Sequence, residues 1–309
     1  WQLSQSGHQV TVLERSPGIG GSIRSYREGD YLAEEGPNSL QINSAEVERF
    51  LQSIPGIKDR MITAHAEAKK RFIVRAGSPQ AVPTGPLSAM TTPLWSLKAK
   101  LRVLKEPFIP AIDPNTEESA ADFVRRRLGE ELYQYAINPL IGGIYAGDPE
   151  KLSLRYAFPK LYSLEQSNGG LIRGAIAKML GARHASGPKV EKRIISFKDG
   201  LGELPSLLAK ALGDRVQSGV DIKQIRKSDA GWTIDFNDQR QSYDEIILTI
   251  PAHGISSLPF EASVATQLEF LQAVDYPPVS VLSLAFKRDE IAHPIDGFGA
   301  LVPECESRS

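Results

Sequence analysis

His8-Gln-Val-Thr-Val-Leu-Glu14-Arg-Ser-Pro-Gly-Ile-Gly20-Gly21-Ser-Ile-Arg24-Ser25 decides the fold class of this chain. Val10, Val12 and Leu13 are β-branched and aliphatic, the pattern of a buried parallel strand. Glu14 ends the run. In a dinucleotide-binding unit, an acid there accepts hydrogen bonds from ribose hydroxyls. Gly20 and Gly21 let the backbone pass close to a pyrophosphate, and Arg24 can neutralise it. The same residues also suit any α/β protein with a strand and a glycine turn. The glycine-rich loop of such a unit lies ~20 residues before the acid. That count runs past Trp1, so the chain reads as beginning inside the unit. Trp1 to Gly7 then reads as the end of the first helix, with Gly7 as its stop.

The 309 residues suggest two domains or one large interrupted one. With 41% hydrophobic and 24% charged residues, the composition is that of a soluble protein with ample core. A net charge of −1 gives no global reason to expect nucleic acid. The single cysteine, Cys305, rules out an internal disulfide framework and fits a reducing compartment. No apolar stretch is long enough to span a bilayer.

Downstream, Gly36-Pro37-Asn38-Ser39 is a turn cluster, and Ser44 can cap a helix over Ala45 to Ser53. Arg71-Phe-Ile-Val-Arg75, Gly77-Ser78-Pro79 and Gln80 to Pro83 predict a hairpin. Arg71 and Arg75 share a strand face, where they could clamp carboxylates or simply guard a solvated edge strand. Between 86 and 110, Leu94, Trp95, Leu97, Leu101 and Leu104 alternate with Lys98, Lys100, Arg102 and Lys105. Such a helix can lie on an anionic membrane or pack its apolar stripe on a core. Ser119 and Asp122 form a capping-box-like start, followed by a helix through Arg127 and another to about Ile137. Asn138 to Gly147 reads as a glycine-containing loop, and Asp148-Pro149 as the start of a helix running to about Ser163. Gly200 to Gly213 is a turn plus an amphipathic helix. Val220 to Lys227, Gly231 to Phe236 and Asp244 to Thr249 read as strands, the last of them buried. α/β text thus returns after a helical middle, so the dinucleotide domain is expected to be discontinuous.

Together these segments resemble the flavin amine-oxidase superfamily and, within it, the protoporphyrinogen oxidases, oxygen-dependent FAD enzymes of haem and chlorophyll synthesis. The likeness is carried by Glu14 with Gly20-Gly21-Ser-Ile-Arg24, Glu35-Gly-Pro-Asn-Ser39, Phe123-Val-Arg-Arg126, and Pro139-Leu-Ile-Gly-Gly-Ile-Tyr-Ala-Gly-Asp-Pro149. Lys151-Leu-Ser-Leu154, Leu164-Glu-Gln166, Ser196-Phe-Lys-Asp-Gly-Leu201, Thr249-Ile-Pro-Ala-His253, Val274 to Val279 and Asp296 to Pro303 extend it over nearly the whole chain.

The resemblance implies an α/β fold: a discontinuous Rossmann-like FAD-binding domain, an inserted α-helical membrane-associating domain, and an α+β substrate domain. It places FAD-binding segments at 1–65 and 196–252, the helical insertion at 66–165, and substrate-domain segments at 166–195 and 253–309, the last incomplete. It implies FAD contacts from Glu14, Arg15, Gly20, Gly21, Arg24, Gly36, Pro37, Asn38, Ser39, Val220 and Thr249. It implies substrate contacts from Arg71, which would pair with a propionate, and from Gly143 and Ala146, which would line the tetrapyrrole pocket. No metal and no catalytic side chain is expected, because the flavin carries the redox step. The implied partners are a porphyrinogen, dioxygen and a membrane surface, with a homodimer left open. The implied location is the cytoplasmic face of a bacterial inner membrane, or a plastid or mitochondrial membrane.

Members of that family continue beyond the equivalent of Ser309, so the chain reads as a fragment lacking both ends. Alternatives are coproporphyrinogen III oxidation, another amine-oxidase relative such as a phytoene desaturase or polyamine oxidase, or a truncated porphyrin-binding paralogue without FAD. The basic cluster Lys69-Lys70-Arg71 argues against a polyamine.

Overall fold

The computed structural model describes residues 1–65, 68, 70–181 and 191–306. They form two compact units, one of residues 1–64 and 190–285, the other of 65–189 and 286–309.

In the first unit, strand Arg193–Phe197 pairs antiparallel with both Leu40–Ile42 and Met61–Thr63. Its inward residues Ile195 and Phe197 pack with Ile42, Leu51, Ile54, Ile57, Leu201 and Leu204 into one core. Helix Ala45–Gln52 lies on that core, its first turn capped by Ser44 Oγ, which accepts from Val47 N at 3.3 Å. Helix Glu203–Leu212 ends at Gly213, whose φ of +62° suits glycine. Strand Val12–Leu13 runs parallel to Val216–Gln217. Helix Gln2–Gln5 leads to Gly7 at φ +89°, the expected stop. Hairpin Ser25–Glu28 and Tyr31–Glu34 follows the glycine pair. An antiparallel meander, Ile222–Ser228, Gly231–Phe236 and Gln239–Tyr243, packs Ile225, Ile234 and Phe236 against Val220.

Two expectations change here. The opening strand is parallel but short and open: Val12 is 37% exposed, because the strand has one neighbour. The expected buried strand at 244–249 makes no ladder, and Ile247 is 69% exposed. Asn237 and Asp238, with φ +43° and +61°, fold the chain back two residues after Phe236. Gln239–Tyr243 therefore takes the free edge of Gly231–Phe236.

In the second unit, strand Lys70–Arg75 lies between Gly297–Leu301, parallel, and Ser78–Ala81, antiparallel. It is a central strand, not the edge strand its arginines suggested. The hairpin turn is Ala76-Gly77, with φ +51° and +71°. Helix Ala120–Arg127 starts on Ser119, whose Oγ accepts from Asp122 N at 3.0 Å. Ala121, Phe123 and Val124 pack with Tyr133 and Leu154 as its core. Arg127 is fully buried; it pairs with Glu106 at 2.9 Å and with Glu165, and donates to the carbonyls of Ile109 and Gly169. Glu106 in turn accepts from Leu171 N and Ile172 N, so every charge in the cluster is hydrogen-bonded.

Asn138–Tyr145, expected as a loop, is a helix. Pro139 suits its first turn, and left-handed Ala146, φ +48°, ends it. The helix expected from Asp148 is a turn instead. The carbonyls of Pro149 and Leu152 accept from Ala121 N and Ala120 N, so they start the neighbouring helix rather than their own. Helices resume at Leu154–Ala157 and Pro159–Asn168.

The 86–110 stretch forms helices Pro86–Thr91 and Leu97–Val103, and apart from buried Leu94 and half-buried Trp95 its apolar stripe does not pack on a core. Leu87, Met90, Leu97, Leu101, Leu104 and Phe108 are exposed. Lys100 reaches inward to the carbonyls of Met90 and Thr92, and Arg102 to those of Arg126 and Arg127. Among the described residues, no helix is long and apolar enough to cross a membrane.

Candidate functional site

In the first unit the parallel pairing of Val12–Leu13 with Val216–Gln217 delivers Val220 to Glu14. Glu14 N donates to Gln217 O at 2.8 Å, and Val220 N donates to Glu14 O at 2.9 Å. Glu14 Oε1 accepts from Ser16 N at 2.7 Å. Glu14 Oε2 has no hydrogen-bond partner among the described residues, which leaves an acceptor for a ligand hydroxyl. Arg15 is exposed beside it.

The glycine pair makes a tight turn, closed by Ile23 N donating to Gly20 O at 2.9 Å. Gly20 and Gly21 have φ +103° and +59°. A Cβ on Gly20 would lie 2.8 Å from both the Ile23 carbonyl oxygen and Pro205 Cγ. Gly36 reaches the same turn: a Cβ there would overlap the Ser22 carbonyl oxygen. Glu35 N donates to Arg24 O at 2.9 Å, completing the join. The structure thus brings Gly20, Gly21 and Arg24 together with Gly36. Pro37 and Asn38 follow on the surface, and half-buried Ser39 donates to Asn38 Oδ1 at 2.9 Å.

Two cavities flank this turn. One, of about 430 Å³, is lined by Glu14, Gly20, Val12, Trp1 and the Pro205 side of helix Glu203–Leu212. The other, of about 790 Å³, is lined by Ser16, Gly18, Arg24, Glu35, Ser206 and Lys210. Arg24 makes no ion pair among the described residues, so its charge is free for an anion. Lys210 was not singled out from sequence, though it shares a helix face with Glu203 seven residues earlier. Thr249, exposed in the unpaired 244–249 run, lines neither cavity. A free carboxylate oxygen, an uncommitted arginine and a turn without side chains fit the ribose and pyrophosphate of a dinucleotide.

In the second unit, Arg71 and Arg75 have different fates. Arg75 pairs with Glu131 at 2.6 Å and lies over the Tyr135 ring at 4.4 Å. Burial works to raise the Glu131 carboxyl, but hydrogen bonds from Ser96 and Arg75 hold it below its usual value. Arg71 is exposed, 5.7 Å from the Phe298 ring, and makes no ion pair among the described residues. Its neighbour Lys70 pairs with Asp296. Lys69 lies outside the described residues.

Gly143 and Ala146 line a cavity of about 880 Å³ with Gly142, Tyr133, Glu150 and Leu301. A Cβ on Gly143 would meet the tip of the Leu301 side chain, which would have to move aside. Arg71 is not in that wall, but its strand borders it: Gly299 pairs with Arg71, and Leu301 with Ile73. One cluster on the cavity has no sequence signal, since its members come from separate elements. Arg125 lies 4.0 Å over the Tyr133 ring and pairs with Glu150 at 2.7 Å, while the Tyr133 hydroxyl donates to Glu150 at 3.0 Å. Arg125 and then Tyr133 hold the Glu150 carboxyl low; burial and then Glu150 push the Tyr133 hydroxyl up.

Residues 1–306 match the family model of flavin-containing amine oxidoreductases. The whole chain is 32% identical to protoporphyrinogen oxidase 2, chloroplastic/mitochondrial, of Arabidopsis thaliana, of which it covers 66%. It is 25% identical, over 95% of its length, to coproporphyrinogen III oxidase of Bacillus subtilis, of which it covers 64%. A solved structure from Exiguobacterium, provisionally named a protoporphyrinogen oxidase, aligns over 80% of this chain and 55% of its own, with a TM-score of 0.61 and 23% identity. That alignment supports an α/β FAD-binding fold. The chain spans under two thirds of the length of each of these relatives.

Proposed function

The chain belongs to the flavin-containing amine oxidoreductases, and on that premise we propose that it is part of an FAD-dependent protoporphyrinogen oxidase. Its reaction takes protoporphyrinogen IX to protoporphyrin IX, with dioxygen as acceptor and hydrogen peroxide as product, in haem or chlorophyll synthesis. The observation that carries this reading is the similarity of the whole chain to the Arabidopsis protoporphyrinogen oxidase.

Segments 1–65 and 196–252 hold the cofactor in this proposal. Glu14 Oε2 accepts from the ribose, and the Gly20-Gly21 backbone and Arg24 meet the pyrophosphate. Gly36 to Ser39 flank the ring system, the Val220 backbone meets the adenine end, and Thr249 lies toward the cofactor. Bound flavin supplies the two-electron redox step that no protein side chain here provides. Arg71, with no carboxylate partner among the described residues, pairs with a propionate of the substrate. Gly143 and Ala146, with no large side chains, line the cavity that takes the tetrapyrrole ring. The exposed strip from Leu87 to Phe108, flanked by Lys98 and Lys105, contacts a membrane surface peripherally.

A second reading, oxidation of coproporphyrinogen III, is favoured by the likeness to the Bacillus enzyme. Porphyrin fluorescence on supplying each porphyrinogen to the FAD-loaded protein separates the two. Faster formation of protoporphyrin is expected, and oxidation of neither substrate overturns both readings. Arg71→Ala should raise KM for the porphyrinogen about tenfold, the loss of one charge-assisted contact, while FAD affinity stays unchanged. An unchanged KM refutes the role given to Arg71.

A further inference from the structure

Glu34 stands at the end of hairpin strand Tyr31–Glu34, opposite Ser25 in the register. Both oxygens of its carboxylate are used. Oε1 accepts from Leu201 N at 2.8 Å, and Oε2 accepts from Ser25 Oγ at 2.6 Å. Ser25 Oγ accepts from Gly202 N at 2.9 Å. Gly200 has φ +91°, and a Cβ there would lie 2.9 Å from Glu34 Oε1 and overlap Ser25 Oγ. The turn at 200–202 is therefore latched to the hairpin that carries the glycine pair at one end and Gly36 at the other.

That turn feeds directly into helix Glu203–Leu212. Pro205 on this helix lies under Gly20, and Pro205 and Leu208 line the cavity that holds Glu14. Ser206 and Lys210 line the cavity that holds Arg24. The outer side of the turn is held separately, where Arg27 pairs with Asp199, and Arg60 with Asp199 and Glu203. Arg27, on the first hairpin strand, ties the turn to the hairpin at the surface, while the Glu34–Ser25 pair holds the turn's backbone amides.

We propose that Glu34, acting through Ser25 and the 200–202 amides, is a positioning residue for the cofactor cleft. It sets the helix Glu203–Leu212 wall against the Gly20–Arg24 turn. Its carboxylate touches no ligand itself. Acceptors of two kinds are needed, one for a backbone N–H and one for a hydroxyl, and a carboxylate supplies both without a competing donor. This inference rests on the flavin reading above.

The test is FAD binding by the full chain, followed by quenching of flavin fluorescence, with far-UV circular dichroism of each variant and hydrogen exchange at Leu201 and Gly202. Glu34→Ala should weaken FAD binding about tenfold or more, as expected when hydrogen-bonded amides lose their acceptor. It should speed exchange at both amides while the secondary structure stays intact. Glu34→Gln keeps an acceptor for Leu201 N and should restore most of the affinity. If Glu34→Ala binds FAD like the original chain, or if Glu34→Gln is as weak as Glu34→Ala in folded protein, the role is overturned. Should Glu34→Ala fail to fold, Ser25→Ala removes one arm of the latch and must show a smaller loss of the same kind. Unchanged affinity there overturns the proposal. Failure of the unsubstituted full-length protein to bind FAD would instead sink the flavin reading, and this role with it.

Discussion

Gly36 has no room for a side chain, because a Cβ would overlap the Ser22 carbonyl oxygen. Its φ is not in the left-handed region, so the constraint is close approach, not conformation. Gly36→Ala must push the Ser22 and Gly36 segments apart. A cost of about 1–3 kcal/mol is expected from overpacking, read as a lowered midpoint in denaturant unfolding. Glu131 sets a different residue-scale expectation. Its folded value lies below the ordinary 4.5, because Ser96 and Arg75 outweigh burial. A depressed carboxylate stabilises fully above its unfolded value, and that contribution is lost as pH falls through the folded one. Glu131→Gln should therefore be less stable than the original protein near neutral pH. The gap should close as pH drops below about 4.5, measured by denaturant unfolding across that window. A gap that is constant with pH would show that Glu131 is not the titrating group. Both features escape sequence reading: the neighbour of Gly36 is Ser22 and that of Arg75 is Glu131, and nothing in local spacing pairs them.

Among the elements, helix Leu97–Val103 separates the two readings of its apolar stripe. Its spacing suggested an apolar stripe that could face a core or a membrane. The core side is instead taken by Ala99, with Lys100 and Arg102 satisfying carbonyls of neighbouring helices. The leucines are left outside. Burying a leucine from water is worth roughly 1.5–3 kcal/mol, so an exposed row of them is a strong surface for lipid. Replacing Leu101 and Leu104 with Glu should lower partitioning onto anionic vesicles by about tenfold or more. The melting temperature should hardly move, since neither side chain packs inside. Equal vesicle binding would rule this strip out as the contact. Elements with local signals formed as read: Ser44 and Ser119 cap their helices, Gly213 ends one, and Gly231–Phe236 is a strand. The glycines of Asn138–Tyr145 suggest a loop, but Pro139 suits the first turn of a helix there and Gly143 lets the Leu301 side chain come close.

At the scale of the whole molecule, the net charge of −1 means that membrane contact cannot rest on global attraction. In the proposed function it comes from the local strip and its flanking Lys98 and Lys105. The sequence alone determined the strand with its terminal acid, the tight glycine turn, the caps and the discontinuous α/β order. Each depends on residues within a few positions of one another, where backbone freedom and periodicity act directly. Tertiary structure decided which of these parts meet: Val220 at Glu14, Gly36 at Ser22, Leu301 at Gly143, and Glu34 at Leu201. It also decided that Arg75, of two arginines on one strand face, takes Glu131 as its carboxylate partner. Such choices follow from close packing and hydrogen-bond satisfaction between segments far apart in the chain. The opening strand and its acid therefore marked one wall of the candidate cleft, and the fold supplied its second wall from helix Glu203–Leu212.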